Sequence, residues 1–329
     1  MHRRIGYMKA IVADPVGGPE NLRYIDLPIP EPGDGEVLVK IEAIGVNYID
    51  TYFRAGFYKA PESPVKLGNE AAGTVAMAGK GANWRSGQRV AYAMARGSYA
   101  EYAVVPQQFL VELPSSVSFE DGAAVMLQGM TAHYLTHSTF PLKTGDTCLI
   151  QAAAGGAGLM LVQIAKIAGA TVIGTVSTSD KAQLATDHGA DHTILYTEQD
   201  FVAETKRLTN GRGVDVVYDS VGKTTFHKSL DCLRPRGLMA SFGQSSGGVG
   251  EIDPLALSQK GSLFLTRPSL GNYISDPAEL RWRSSDLFQW IAGGRLKRRI
   301  HRVYKLEDAA QAHRDLESRK TTGKLLLKP

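Results

Sequence analysis

The sequence predicts an α/β protein of two domains, one rich in β-strands and one built on a doubly wound parallel sheet. Three observations carry this. The chain has 329 residues, more than one core usually serves. Its first hundred residues hold short strand patterns broken by glycine and proline. From about Gln128 strand and helix patterns alternate, which builds a parallel sheet with helices on both faces.

In chain order, residues 37–44, 73–78, 89–92 and 99–105 are rich in β-branched and aromatic residues and are predicted strands of an all-β unit curled towards a barrel. Residues 1–7 are expected to be a ragged extension, with Met8 an equally good start of the folded part. Residues 147–151 read as a strand. Residues 156–168 read as a helix, with Leu161, Ile164, Ala165 and Ala168 at helical spacing and Gly169 closing it. A strand (171–176), a helix (180–188), a strand (192–196) and a helix (198–209) follow, then strands at 214–219, 238–242 and 263–266. After Pro268 the alternation stops, leaving helices at 277–292 and 305–318 and a strand at 324–328. These pieces are too few for a core of their own and are expected to rejoin the first domain. The expected boundaries are 1–127 with 269–329 for the β-rich domain, and 128–268 for the parallel-sheet domain.

Apolar residues make up 43% and charged residues 21%, which is ordinary for a globular protein, and no apolar run is long enough to span a membrane. The start, MHRRIGYMKA, has no apolar stretch behind its basic residues, so no secretory signal is expected. Cys148 and Cys232 lie in apolar contexts and are expected to be buried free thiols, which suits a reducing cytoplasm. The net charge of +4 is mild. The most basic run, Arg295-Leu-Lys-Arg-Arg-Ile-His-Arg302, reads as a solvated loop and strand edge rather than a nucleic-acid patch.

The stretch QAAAGGAGLMLVQIAK, residues 151–166, almost matches the dinucleotide-binding pattern G-x-G-x-x-G. Ala153 stands in the first glycine position, and Gly155 and Gly158 fill the other two. A strand before and a helix after supply the context the motif needs, and the helix N-terminus offers N–H groups and a positive dipole to a pyrophosphate. The methyl group of Ala153 is tolerable if φ stays negative. NAD binders end the second strand in an acid that accepts from the ribose 2′-hydroxyl. Here that strand ends Gly174-Thr-Val-Ser-Thr-Ser-Asp-Lys181. Ser177 and Lys181 suit a 2′-phosphate, and Asp180 is expected to cap the next helix, so the residues favour NADPH.

Two patterns point elsewhere and are set aside. Gly243-Gln-Ser-Ser-Gly247 matches a hydrolase nucleophile elbow but leads into loop-like sequence instead of a helix. His133 and His137 are four apart on a predicted helix with no third ligand near, and read as structural.

Gly45-Val-Asn-Tyr-Ile-Asp-Thr-Tyr52, Leu67-Gly-Asn-Glu-Ala-Ala-Gly73, the 152–158 turn, Tyr218-Asp-Ser-Val-Gly222, Lys260-Gly-Ser-Leu-Phe264 and Thr266-Arg-Pro-Ser269 together resemble the medium-chain dehydrogenase/reductase family, in its zinc-free NADPH:quinone oxidoreductase (zeta-crystallin-like) branch. The resemblance runs from Met8 to Pro329. It implies a GroES-like fold for the β-rich domain and a Rossmann fold for the other. Zinc-dependent members carry cysteine where this chain has Asn47 and histidine where it has Asn69, so no metal is expected. The implied cofactor is NADPH, with implied contacts at Asn47, Thr131, Ala153, Ala154, Gly155, Gly156, Ala157, Gly158, Ser177, Lys181, Tyr196, Ser220, Phe242, Gly243, Gln244, Arg267, Ser269 and Arg319.

The implied activity is quinone reduction at Asn47, Tyr52 and Tyr58, where the family places nicotinamide and substrate. Asn47 would anchor the nicotinamide ribose or the substrate oxygen, and Tyr52 would donate to the developing oxyanion, although both tyrosines equally suit aromatic packing. A quinone accepts hydride without a Lewis acid, so the protein mainly binds and orients. Two alternatives stay open: reduction of an enal or enone C=C bond, and a structural or RNA-binding role that keeps the NADPH site. A homodimer is expected through the apolar edge strand near Gly261–Thr266.

Overall fold

A computed structural model describes residues 6–329. The expected ragged extension lies outside the described residues for 1–5. Tyr7, however, already belongs to the strand Tyr7–Ala13. The chain divides into two compact units. The first runs to Leu127 and also takes Ile274–Gly294 and Arg298–Pro329, and the second is Gln128–Tyr273 with Arg295–Lys297.

The first unit holds two sheets. The smaller is antiparallel, in the order Leu22–Pro28, Tyr7–Ala13, Val65–Lys66. The larger runs Ile300–Lys305, Lys324–Lys328, Glu36–Val46, Glu70–Ala78, Arg89–Ala93, Leu110–Glu112, with Tyr102–Pro106 also paired to Glu36–Val46. Only its first pair is parallel. The central strand is buried almost throughout, and Val37, Val39, Ile41 and Ile44 pack with Tyr92, Leu325 and Leu327. This burial explains why 37–44 shows little polar alternation.

Two short-range expectations are corrected. The predicted helix at 305–318 is a strand to Lys305, a 3-10 turn Leu306–Asp308 and a helix Ala309–Glu317 only. Residues 303–305 are held by parallel pairing with Leu326, Leu327 and Lys328, which local propensity does not reveal. The helix Tyr48–Arg54, which carries Tyr52 and has Asn47 as its N-cap, has no apolar period and was not expected from the pattern.

The second unit carries six parallel strands. In chain order they are Thr147–Ile150, Thr171–Val176, His192–Leu195, Val214–Asp219, Leu233–Ser241 and Phe264–Thr266, arranged in space 3-2-1-4-5-6. That order reverses between the first and fourth strands, and the loops at their carboxyl ends form the crevice where such sheets bind ligands. The helix Gly156–Ile167 has eight buried residues, Gly158 to Ala165, which seat it on the sheet. Among the described residues no helix is long and apolar enough to cross a membrane.

Candidate functional site

In the second unit the motif region turns sharply between the first strand and the helix Gly156–Ile167. The left-handed residue of this turn is Ala152 (φ 55°), while Ala153 keeps a φ outside that region. The substitution in the first glycine position is therefore absorbed without strain at Ala153. Its methyl group has room because Gly174, on the second strand, has no side chain: a Cβ there would lie 2.6 Å from that of Ala153. A Cβ on Gly158 would lie 2.3 Å from the Ala152 carbonyl oxygen, so this helix can approach the turn only with glycine. Gly155 occupies the N-cap position and supplies no side-chain cap to the first-turn N–H groups.

A buried polar chain holds the turn. Gln151 donates to Ser229 Oγ (3.1 Å) and accepts from Thr175 (2.6 Å), and Ser229 donates to Asp219 (2.9 Å). Asp219 also accepts from the backbone of Val221 and Gly222, at 2.7 and 3.0 Å, which sets the loop bearing Ser220. That loop lies against the one carrying Phe242, Gly243 and Gln244, since a Cβ on Gly243 would meet Ser220 backbone at 2.5 Å. Arg267 donates to the Ser241 carbonyl (2.9 Å), with Ser269 exposed two residues on. Thr131 is buried on the helix Phe119–Tyr134, three residues after Gln128, whose side chain a Cβ on Gly156 would strike.

At the end of the second strand Ser177 accepts through its carbonyl from Thr197 (3.1 Å), and Tyr196 follows the adjacent strand end with its ring half exposed. The helix Ser179–Asp187 is capped by Thr178, which accepts from the Lys181 backbone N–H (3.3 Å). The expectation that Asp180 caps it is corrected. Thr178 holds extended backbone geometry, which puts Asp180 inside the first turn. Partial burial lowers the Lys181 pKa.

The first unit gathers a second cluster. Sheet register builds it: Leu325 pairs with Val46 and Ala71 with Ile44, so Lys324 falls beside Asn47, and Glu70 beside Gly45. Asn47 Nδ2 donates to Glu70 Oε2 (2.8 Å) and to the Gly45 carbonyl (3.3 Å), and its Oδ1 accepts from Lys324 Nζ (2.8 Å). Lys324 also donates to Glu70, and Leu127 N–H donates to the other Glu70 oxygen (2.6 Å). Gly45 makes the approach possible, because a Cβ there would lie 2.1 Å from Glu70 Oε2. Burial lowers the Lys324 pKa, opposed by the Glu70 charge.

Asp50 extends the network. It accepts from Asn47 N–H (2.9 Å), Asn69 Nδ2 (2.8 Å) and Tyr99 (3.2 Å), and burial nevertheless pushes its pKa up to about 6. Tyr99 meets His313 Nε2 at 3.0 Å, and Arg54 meets Nδ1 at 3.2 Å while paired to Glu317. Burial, reinforced by Arg54, pulls the His313 pKa down to about 3, so the ring is neutral. Arginine only donates, so Nδ1 accepts, Nε2–H donates to Tyr99 and Tyr99 donates to Asp50. Because arginine keeps its protons, this chain is a clamp and carries no proton to the surface.

Tyr52 and Tyr58 sit edge to face, 5.3 Å between centroids, with Phe57 and Phe53 against Tyr58 at 5.6 Å each. Arg319 follows the helix Ala309–Glu317 in a left-handed conformation (φ 61°), its charge felt by Tyr48. Asn47, Tyr52, Tyr58 and Arg319 thus belong to the first unit and the remaining candidates to the second. Sequence reasoning missed Lys324, Asp50, Tyr99 and His313. A lysine opening the strand Lys324–Lys328 ahead of three leucines was the one available signal.

The other patterns behave as structure. Gly243–Gly247 leads into loop, with the next helix beginning only at Pro254. His133 and His137 stack at 4.2 Å. Cys148 and Cys232 are buried free thiols whose pKa values burial raises. In the basic run, Arg298 pairs with Asp121 and the strand Ile300–Lys305 forms the sheet edge.

Residues 33–115 match the alcohol dehydrogenase GroES-like domain, and residues 156–279 match the zinc-binding dehydrogenase domain. A quinone oxidoreductase of Pseudomonas aeruginosa is 47% identical over 315 residues, 95% of this chain and 97% of that protein. A 2-haloacrylate reductase of Burkholderia is 42% identical over 328 residues, 97% of this chain and 98% of that one. The crystal structure of Escherichia coli quinone oxidoreductase complexed with NADPH superposes with a TM-score of 0.95 at 44% identity, covering 98% of this chain and all of that one. The matched domain's zinc does not fit this chain. Asn47 and Asn69 turn their amide nitrogens onto Glu70 and Asp50, and the Glu70 charge is already matched by Lys324. An amide–ammonium–carboxylate set of this kind is not a zinc donor set.

Proposed function

This chain belongs to the zinc-free quinone oxidoreductase branch of the medium-chain dehydrogenase/reductases, and from that premise we propose that it reduces quinones with NADPH. The observation that carries the reading is the crevice of the parallel sheet: a glycine turn with an uncapped helix N-terminus beside a strand that is followed by Ser177, with no acid at its end, and by Lys181 in the first turn of the next helix. NADPH, when bound, supplies the hydride. Gly155 and Gly158 let the backbone approach its pyrophosphate, Ser177 and Lys181 meet its 2′-phosphate, and Tyr196 packs near its adenine. Ala153, Ala154, Gly156, Ala157, Thr131, Ser220, Phe242, Gly243, Gln244, Arg267 and Ser269 complete the contacts, and Arg319 adds a second charge for the phosphate. Tyr52 and Tyr58 bind and orient the quinone, with the Tyr52 hydroxyl as donor to the oxygen that gains charge, and Asn47, whose Nδ2 protons are both engaged, offers Oδ1 to a nicotinamide ribose hydroxyl.

Oxidation of NADPH measured against a panel of quinones and enones tests this, and turnover with quinones is the expected result. Turnover restricted to enals or enones would favour C=C reduction, the reading to which the 42% identity with a 2-haloacrylate reductase lends weight. The buried free thiols fit a cytoplasmic protein. The edge strand Phe264–Thr266, with Phe264 exposed, supports a homodimer joined through this strand.

A further inference from the structure

We propose that Lys324 is a positioning residue for the reaction: its buried ammonium fixes the orientation of the Asn47 carboxamide through a three-residue lock with Glu70. The inference rests on the quinone-reductase reading for its kinetic consequence, and on geometry for the lock itself.

The three side chains come from positions 47, 70 and 324 and are 3%, 0% and 2% exposed. A carboxamide has two orientations that exchange its oxygen and nitrogen. Here an ammonium on Oδ1 and two acceptors on Nδ2 select one of them. Reversal would set Nδ2 against the ammonium and Oδ1 against a carboxylate, two like-with-like contacts. Stability alone does not call for this arrangement, since a buried ion pair is commonly replaceable by apolar side chains without loss. The strand offers that alternative, for Leu325, Leu326 and Leu327 are all buried. Asn47 is thus organised by a side-chain cation from the last strand.

The decisive pair of proteins is Lys324→Met, which strands the Glu70 charge, and Glu70→Gln with Lys324→Met, which removes both charges. Asn47 side-chain NH₂ signals in selectively ¹⁵N-labelled protein report the lock without any substrate. The wild type is expected to give one sharp pair, and the double variant a pair broadened or doubled by exchange. NADPH affinity should stay within about threefold of wild type, while kcat with a quinone falls roughly 10- to 100-fold, the loss of a charged hydrogen bond. Methylammonium added to Lys324→Ala should restore part of kcat. A double variant with wild-type kcat and a single sharp Asn47 pair would overturn the proposal, leaving Lys324 as a counter-ion to Glu70. If the double variant does not fold, the amine decides: a folded Lys324→Ala protein that methylammonium fails to rescue overturns it. Absence of quinone turnover in the wild type would instead count against the quinone reading, and the ¹⁵N signals would still judge the lock.

Discussion

Gly174 leaves the space that the methyl group of Ala153 fills, the two residues facing each other from the second strand and the turn after the first. The pair explains how an alanine replaces the first glycine of the motif. In Gly174→Ala the two Cβ atoms would be 2.6 Å apart, and overpacking of this kind costs about 1–3 kcal/mol. Ala153→Gly in the same chain should recover most of that loss. Denaturant unfolding of the four proteins of this cycle measures the coupling, and additive effects would show that the two sites do not communicate.

Lys181→Ala should remove a charged hydrogen bond worth about 1.5–3 kcal/mol and weaken NADPH roughly 10- to 100-fold, leaving NADH use nearly unchanged. Ser177→Asp should shift preference towards NADH, because a carboxylate repels the 2′-phosphate and accepts from a free 2′-hydroxyl. Gly155→Val should impair both cofactors alike. Fluorescence titration with each nucleotide checks all three, and equal losses for NADH and NADPH in Lys181→Ala would remove its assignment.

Acid should weaken the fold through His313. Its pKa falls from the usual 6.5 to about 3 on folding, so the unfolded chain binds the extra proton between those values, and stability is lost as pH drops through that window. Asp50 acts the other way: raised from 3.8 to about 6, it favours the folded state at low pH and loses that contribution as pH rises through 3.8–6. The histidine shift is the larger, so the net trend is acid destabilisation. His313→Gln removes this titration and leaves that of Asp50, so the thermal midpoint should stop falling, and should rise, as pH drops from 6 to 4. An unchanged slope would mean that other groups dominate.

Asn47 and Asn69 lead to a metal expectation. The purified protein should contain no stoichiometric zinc, and EDTA should leave NADPH oxidation intact. One zinc per chain by elemental analysis would contradict the donor-set argument.

The edge strand makes an assembly prediction. Phe264→Asp places a charge on the exposed residue of Phe264–Thr266 and should convert a dimer to a monomer in light scattering. A wild-type protein that is monomeric at every concentration removes the edge-pairing proposal.

Local order in the amino-acid sequence was enough for the parallel-sheet unit, because each strand, glycine turn and helix there is specified within about thirty residues. The strands Thr171–Val176 and Val214–Asp219 and the helix Gly156–Ile167 carry their periodicity and breakers within themselves. That Asn47 and Asn69 stand at zinc-ligand positions came from the family resemblance and not from local order. Other features depended on tertiary partners. The strand Ile300–Lys305 exists through pairing with Lys324–Lys328, and Thr178 rather than Asp180 caps its helix because of backbone geometry at the strand end. The Asn47–Glu70–Lys324 lock and the Asp50–Tyr99–His313 clamp join residues up to 277 positions apart. No local pattern encodes such contacts: sheet register sets them, and register is chosen by which apolar faces the whole chain can bury together.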